Sequence, residues 1–203
     1  MLKIITAPND ILNQPVKPVK KIDERIKKLV NQMEKTLVAQ TDPLGVGLAA
    51  PQVGEKLALF IIKPTKKAKT KVFINPKILK WEMGSGNLDK NMRTEKNDSH
   101  LTVQNPVSHL SPHSSKPKSF KLEGCLSIPR IWGPVRRADK ILVEFQDLTG
   151  KPQKRWFRGL SAIIIQHEID HLNGVLFTQK TLEQKLPLYE EKEGKLEKIS
   201  ATQ

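Results

Sequence analysis

Cysteine is nearly absent from this 203-residue chain, and the single Cys125 rules out an internal disulfide. That count leaves the redox compartment undetermined. Taken alone, a lone cysteine is more often a small buried hydrophobe than a reactive group. Long apolar runs are also missing. No window approaches a membrane span, and Met1-Leu2-Lys3-Ile4-Ile5 runs straight to Pro8 and Asp10 without a stretch that could act as a signal peptide. The expectation is a cytoplasmic protein with no membrane partner. Aromatics make up only 5% of the residues and accompany no recognised nucleic-acid motif, which argues against specific nucleic-acid recognition. Acidic residues are absent between positions 63 and 80, where Lys63, Lys66, Lys67, Lys69, Lys71, Lys77 and Lys80 fall. A second basic group, Lys17, Lys20, Lys21, Arg25, Lys27 and Lys28, crowds the first predicted helix, and the formal net charge is +14. Such a surface favours encounter with a polyanion, although a merely solvated lysine face remains an equal alternative.

What is present suits one core and hardly two. Residues 6–21, with Pro8, Pro15 and Pro18, read as an extended arm. Ile22, Ile26, Leu29, Val30, Met33 and Leu37 recur at spacings of three and four, predicting an amphipathic helix that ends before Asp42-Pro43. In Gly45-Val46-Gly47-Leu48-Ala49-Ala50-Pro51-Gln52-Val53-Gly54 the small residues permit close backbone approach, and Gln52 brings both an amide donor and a carbonyl acceptor. This run lacks phosphate-loop spacing; it is either an ordinary tight turn or the lining of a cleft in which Gln52 donates to a substrate oxygen. Leu57 to Ile62 and Val72 to Ile74 are strand candidates, the second stopping at Asn75-Pro76. From 84 to 118 the composition shifts to Asn, Ser, His, Pro and Lys, predicting an inserted, mobile excursion within a single catalytic domain spanning 1–203. His100, His109 and His113 fall there without the spacing of a metal tract. Ile141 to Phe145 and Gln153 to Arg158 predict a hairpin. A helix then runs from Gly159 or Leu160 to Leu172 with Asn173-Gly174 as its stop, and beyond about position 187 the mixed Glu/Lys tail reads as frayed.

That last helix carries Gln166-His167-Glu168-Ile169-Asp170-His171, an H-E-x-x-H sequence. At about 3.6 residues per turn its histidines share a face on which they can bind one metal ion, with Glu168 placed to handle a proton. A catalytic site of this kind takes three protein ligands and keeps one open position. Glu190 or Glu191 would supply the third from a second helix, but that helix would have to be built around Pro187 and Gly194 with few apolar residues. Cys125 is the better candidate. A thiolate is a soft, strong donor, and Glu123-Gly124 gives it a flexible approach that leaves the Leu126 N–H free to point into the site.

Gly45 to Gln52, Glu123-Gly124-Cys125-Leu126-Ser127 and Gln166 to His171 occur in the order of the three signature motifs of peptide deformylases. The chain resembles that family from Ile11-Leu12 and Pro15 to Gly174-Val175-Leu176-Phe177, interrupted mainly by the excursion. The resemblance implies an α+β fold with antiparallel sheets surrounding the motif-bearing helix. It also implies an enzyme that removes the N-formyl group from formyl-methionyl nascent peptides, releasing formate. Its native metal would commonly be ferrous iron, with zinc, nickel or cobalt able to occupy the site. In that setting Cys125, His167 and His171 hold the ion, Glu168 takes a proton from attacking water and passes one to the departing amine, and Gln52 and the Leu126 N–H stabilise the oxyanion. By similarity, the methionine pocket would use Val46, Leu160, Ile163, Ile164 and the His167 ring, while backbone around Gly45 and Gly47 pairs with extended peptide. Two rivals stay open: a metallopeptidase recruiting Glu191, and a ribosome- or RNA-associated module that has no need of Glu168. Any transient ribosome contact is expected at the basic 63–80 region.

Overall fold

The computed structural model describes residues 1–83 and 121–199. The expected 84–118 excursion and its three histidines lie outside the described residues.

The predicted first helix is α1, Glu24–Val38, started by the Asp23 side chain accepting from the Ile26 N–H at 3.1 Å. Two short strands follow, β1 (Gly47–Ala49) and β2 (Leu59–Ile62), with a turn of 3-10 helix at Ala50–Val53 between them. Next come β3 (Lys71–Glu82), β4 (Lys121–Cys125), β5 (Ile128–Val135), β6 (Lys140–Gln146) and β7 (Pro152–Arg158). The motif-bearing helix is α2, Gly159–Leu172, followed by α3 (Phe177–Glu183), β8 (Tyr189–Lys192) and β9 (Lys195–Lys198). All pairings between these strands are antiparallel. They make one sheet in the order β1-β2-β3-β6-β7 and a second in the order β4-β5-β8-β9.

The first sheet lies between the two long helices. Every residue of β2 is buried because its alternating side chains go to opposite faces. Leu59 and Ile61 join Ile26, Leu29, Met33 and Leu37 of α1, whereas Phe60 and Ile62 join Ala162, Ile164 and Ile165 of α2. Phe73, Ile141, Val143, Phe145 and Phe157 extend the α2 side of the core. Both faces of β2 being covered explains why its sequence reads as an unbroken apolar run rather than an alternation. Phe157 and Trp156 do divide between faces, the first buried and the second exposed.

Four departures from the sequence reading have local causes. The N-terminal arm contains a 3-10 turn at Asp10–Asn13, capped by Asn9 and anchored by fully buried Leu12. Strand β3 continues through Asn75-Pro76. Asn75 adopts φ +51°, its amide grips both the N–H and the carbonyl of Val19, and a register shift between Ile74 and Lys77 absorbs the proline. α3, a helix of only two turns, was not anticipated. The tail expected to fray from about 187 instead forms the β8–β9 hairpin across 189–198. It pairs with β5, and the Trp132 indole donates to Glu191 at 2.9 Å.

Candidate metal centre and active site

The site forms where α2 meets the second sheet. The apolar front half of α2 is fixed against the first sheet, which carries the following turn inward and leaves Glu168 3% and His171 1% exposed. Cys125 arrives as the last residue of β4, at a register shift after Gly124. The ligand atoms of Cys125, His167 and His171 all lie within 4.8 Å of one another. Sγ of Cys125 is 3.2 Å from Nε2 of His171. The N-terminal arm straps the pieces together: the Ile5 N–H donates to the Gln52 carbonyl and the Ala7 N–H to the Ser127 carbonyl, both at 2.8 Å.

His167 and Cys125 are held by neighbours, while Nδ1 of His171 is buried without a hydrogen-bond partner among the described residues. Nδ1 of His167 lies 2.9 Å from Glu123 Oε2, which leaves Nε2 as the nitrogen available to an ion. Glu123 is gripped in turn by Arg137, whose Nε and terminal nitrogen reach its two carboxylate oxygens at 2.8 Å each. The other end of the Arg137 fork reaches Asp170 at 2.5 Å. Asp170 precedes His171, so one buried guanidinium steadies the surroundings of both histidines. The thiol of Cys125 receives the Ser127 N–H at 3.4 Å and the Gln52 amide at 3.5 Å.

Charge follows this geometry. Burial pushes the Cys125 thiol up, but the charges and hydrogen bonds of His171 and His167 outweigh it and bring the thiol well below its ordinary range. Burial pulls His167 down, yet its bonds to Cys125 and Glu123 raise it well above an ordinary imidazole. Burial likewise raises Glu123, and Arg137 with His167 overcomes it, holding the carboxyl at about 2. Glu168 differs. Burial raises it to about 7, against the opposing pull of His167 and His171 and with a further push from Cys125 and Glu123. Its Oε2 is buried without a hydrogen-bond partner among the described residues.

A thiolate, two imidazoles and an adjoining unpartnered carboxylate oxygen fit a divalent metal ion with one side open to a reactant. The candidate ligands from the sequence are thus brought together, and Glu168 stands beside them. Glu191 is not among them: it is occupied by Trp132, and Glu190 pairs with Lys192 at 3.0 Å. Gln52 is buried beside the ligand set, its Oε1 accepting from the Ala49 N–H at 2.8 Å and its amide donating to Ser127 Oγ at 3.1 Å as well as to Cys125. Leu126 follows Cys125 directly, with its side chain packed toward the α1 core.

The other expected residues divide. Leu160, Ile163, Ile164 and His167 follow one another at helical spacing along α2. Leu160 is 38% exposed, Ile163 half-buried and Ile164 buried. Val46 is half-buried against the same core. Gly45 and Gly47 are small for packing reasons. A Cβ on Gly45 would stand 2.5 Å from the Leu37 carbonyl oxygen of α1, and one on Gly47 would stand 2.2 Å from Glu168 Oε1. Gly124, read as a flexible approach, is where the Trp132 ring rests, 2.9 Å from the position of a Cβ. Sequence reasoning missed Arg137, Asp170 and the gripping role of Glu123. Glu123 left a signal, an acid directly before the Gly-Cys pair, whereas Arg137 left none, because only the β4–β5 pairing brings it back to the site.

The family profile described as polypeptide deformylase matches residues 1–186. A peptide deformylase of Mesorhizobium japonicum is 35% identical over 201 residues, covering 98% of this chain and 94% of the other. One from Desulfotalea psychrophila is 32% identical over 196 residues, covering 95% and 94%. Among solved structures, the Thermotoga maritima peptide deformylase superposes with a TM-score of 0.66 at 29% identity, covering 89% of this chain and 97% of that one. The Synechococcus elongatus peptide deformylase, solved in complex with actinonin, gives 0.67 at 33% identity, covering 89% and 78%. Residues, geometry and relatives agree: the chain belongs to the polypeptide deformylase family.

Proposed function

We propose that Glu168 carries the proton in the metal-dependent removal of the N-formyl group from formyl-methionyl nascent peptides, the reaction of this family. The observation that carries the reading is the buried, unpartnered Glu168 Oε2 next to the Cys125–His167–His171 cluster. The bound ion supplies Lewis acidity toward the formyl oxygen and toward water. Glu168, with its carboxyl lifted to about 7, accepts a proton from the attacking water and returns it to the amine as the C–N bond breaks, leaving formate and a free amino terminus. In this reading the Gln52 amide and the Leu126 N–H stabilise the developing oxyanion. Loss of one such donor costs on the order of 3 kcal/mol, a hundredfold or more in rate. The methionine side chain runs along Leu160, Ile163 and Ile164 toward the His167 ring, with Val46 opposite and the Gly45–Gly47 backbone pairing with the peptide. Ferrous iron is the resident ion in this reading, and zinc, nickel or cobalt are able to replace it. The enzyme works in the cytoplasm as a single catalytic domain spanning 1–203, with 84–118 as an insertion, and a basic surface brings it to the ribosome.

The test is formate release from a formyl-Met-Ala-Ser peptide by anaerobically purified, iron-loaded protein beside its Glu168→Ala variant. The unmodified protein releases formate, while the variant keeps its metal and loses nearly all turnover. Undiminished turnover in the variant would remove Glu168 from the proton path. Cleavage of unformylated peptide instead would favour the metallopeptidase reading.

A further inference from the structure

The lysine run at 63–80 is one block in sequence, and the fold breaks it in two. Lys66, Lys67 and Lys69 stay on the exposed β2–β3 loop, while Lys63 turns back into that loop and donates to the Ala68 carbonyl at 2.5 Å. Lys77 and Lys80 lie on β3, where antiparallel pairing sets them beside Glu144 and Leu142 of β6. Three rungs cross β3, β6 and β7: Lys77–Glu144–Lys154, Lys80–Leu142–Trp156 and Glu82–Lys140–Arg158. Partners in a rung share a face, and this is the face turned away from α2, since Ile141, Val143 and Phe157 point to the α2 side.

That face carries five cations against two carboxylates. Among the described residues Lys77, Lys80, Lys154 and Arg158 make no ion pair. Lys140 is spent internally: Glu82 holds it at 2.9 Å and it stacks 4.0 Å from the centre of the Trp156 ring, which nevertheless stays 42% exposed amid the free cations. Cations on the outer strands stand ~10 Å apart across the sheet, and Lys154 and Arg158 ~13 Å apart along β7. No single phosphate spans such spacings, whereas an extended polyanion does. An exposed indole among cations adds a surface on which a base can stack.

We infer that the outer face of β3, β6 and β7 binds RNA through its phosphate backbone, with Trp156 as a stacking surface. The choice of RNA as the polyanion rests on the proposed action on nascent chains, which emerge from an RNA-rich particle. Contact here leaves α2 and its cleft unobstructed on the other side of the sheet. Recognition is by charge and stacking rather than by base edges, so it is insensitive to sequence and sensitive to salt.

The test titrates metal-loaded full-length protein into a fluorescein-labelled 20-nucleotide single-stranded RNA at several salt concentrations. Charge reversal of Lys77, Lys80, Lys154 and Arg158 to Glu raises Kd about tenfold or more and lowers the slope of log Kd on log salt by about 0.7 for each phosphate no longer neutralised. Replacement of the same four by Gln gives a smaller change in the same direction. Trp156→Ala raises Kd about tenfold with the slope unchanged. Reversal of Lys66, Lys67 and Lys69 changes Kd less than threefold. Formate release and thermal melts of each variant show that the fold and the cleft are intact, so failure to bind RNA and failure to deformylate are read separately. The assignment is overturned if the sheet-face variants bind RNA within twofold of the unmodified protein, or if the loop reversal costs as much as the face reversal. Equally tight, face-dependent binding to vesicles containing 30% phosphatidylglycerol would overturn it in favour of a lipid surface.

Discussion

A single methyl group on Gly47 would fall 2.2 Å from Glu168 Oε1 and 2.9 Å from the Ile164 side chain, closer than real carbon contacts allow. Gly47→Ala therefore displaces the carboxylate while leaving Cys125, His167 and His171 in place. A shift of about 1 Å is enough for a loss of about a hundredfold in kcat. Metal content measured beside turnover checks this, and loss of metal in parallel with activity would mean the strain spreads to the ligands. At Arg137 the expected damage is of another kind. Arg137→Met leaves buried Glu123 without its guanidinium and Asp170 with only Lys180 at 3.8 Å, which costs about 3–5 kcal/mol and loosens His167. Faster metal loss to a chelator, together with a lower urea midpoint, is the expected result, and unaltered metal retention would show the pair to be merely structural. The carboxyl of Glu123, with an unfolded value of 4.5, is held at about 2, so its stabilising contribution is complete above 4.5 and fades as the pH falls toward 2. Urea midpoints of metal-free Glu123→Gln and unmodified protein should accordingly differ more at pH 7 than at pH 3. An equal difference at both would contradict the ion-pair account. The ligands and Glu168 were legible in the sequence because their residue types and spacing are themselves the chemistry. Arg137 was not, because nothing local ties it to Glu123, fourteen positions earlier, until a strand turn does.

Elements were legible where their periodicity was strong and their neighbours irrelevant. α1 was legible from its apolar spacing, though its end at Val38 falls short of the Asp42-Pro43 stop, and α2 from its apolar front half and its Asn173-Gly174 stop, which placed it nearly to the residue. The short pieces depend on partners instead. β8 and β9 are mostly charged, and their inward anchors include the Trp132–Glu191 bond and Leu188, which packs toward the Cys125, Val135 and Phe177 cluster. Strand propensity does not mark this charged hairpin; its local signal is Gly194, which with Glu193 takes positive φ in the two-residue turn, and pairing to β5 holds it in place. It supports the metal site from behind, because Trp132 also rests on Gly124, the residue before the thiolate. A chain ending at Pro187 should therefore still fold, be destabilised by about 1–2 kcal/mol through the uncovered apolar surface and the missing indole hydrogen bond, and melt several degrees lower. Trp132 would lose its anchor, so metal retention should fall along with the melting temperature. A truncated protein that holds metal as firmly as the full chain would show that the hairpin covers the sheet without steadying Cys125.

Across the whole molecule, the three ligands come from elements that belong to different sheets. His167 and His171 belong to α2, which is fixed against the first sheet, whereas Cys125 ends a strand of the second sheet. The two sheets share no hydrogen-bonded strand pair; among the described residues they are joined by the arm, the Arg137 fork, the Gln52–Ser127 bond, the packing of Leu126 against the α1 core and the ligand cluster. A bound ion thus acts as a cross-link as well as a catalyst, a role the spacing of H-E-x-x-H could not reveal. An ion that binds only the folded chain stabilises it by RT ln(1 + [ion]/Kd), which is about 4 kcal/mol at a thousandfold excess over Kd. Removing the metal with a chelator should lower the melting temperature by several degrees, and stoichiometric zinc or nickel should restore it. Cys125→Ala separates this from any general effect of metal on the surface. Left with two histidines on one helix, that variant loses the bridge between the sheets and should melt at nearly the same temperature with and without metal. A metal-dependent rise as large in Cys125→Ala as in the unmodified chain would place the stabilisation within α2 alone and refute the cross-link.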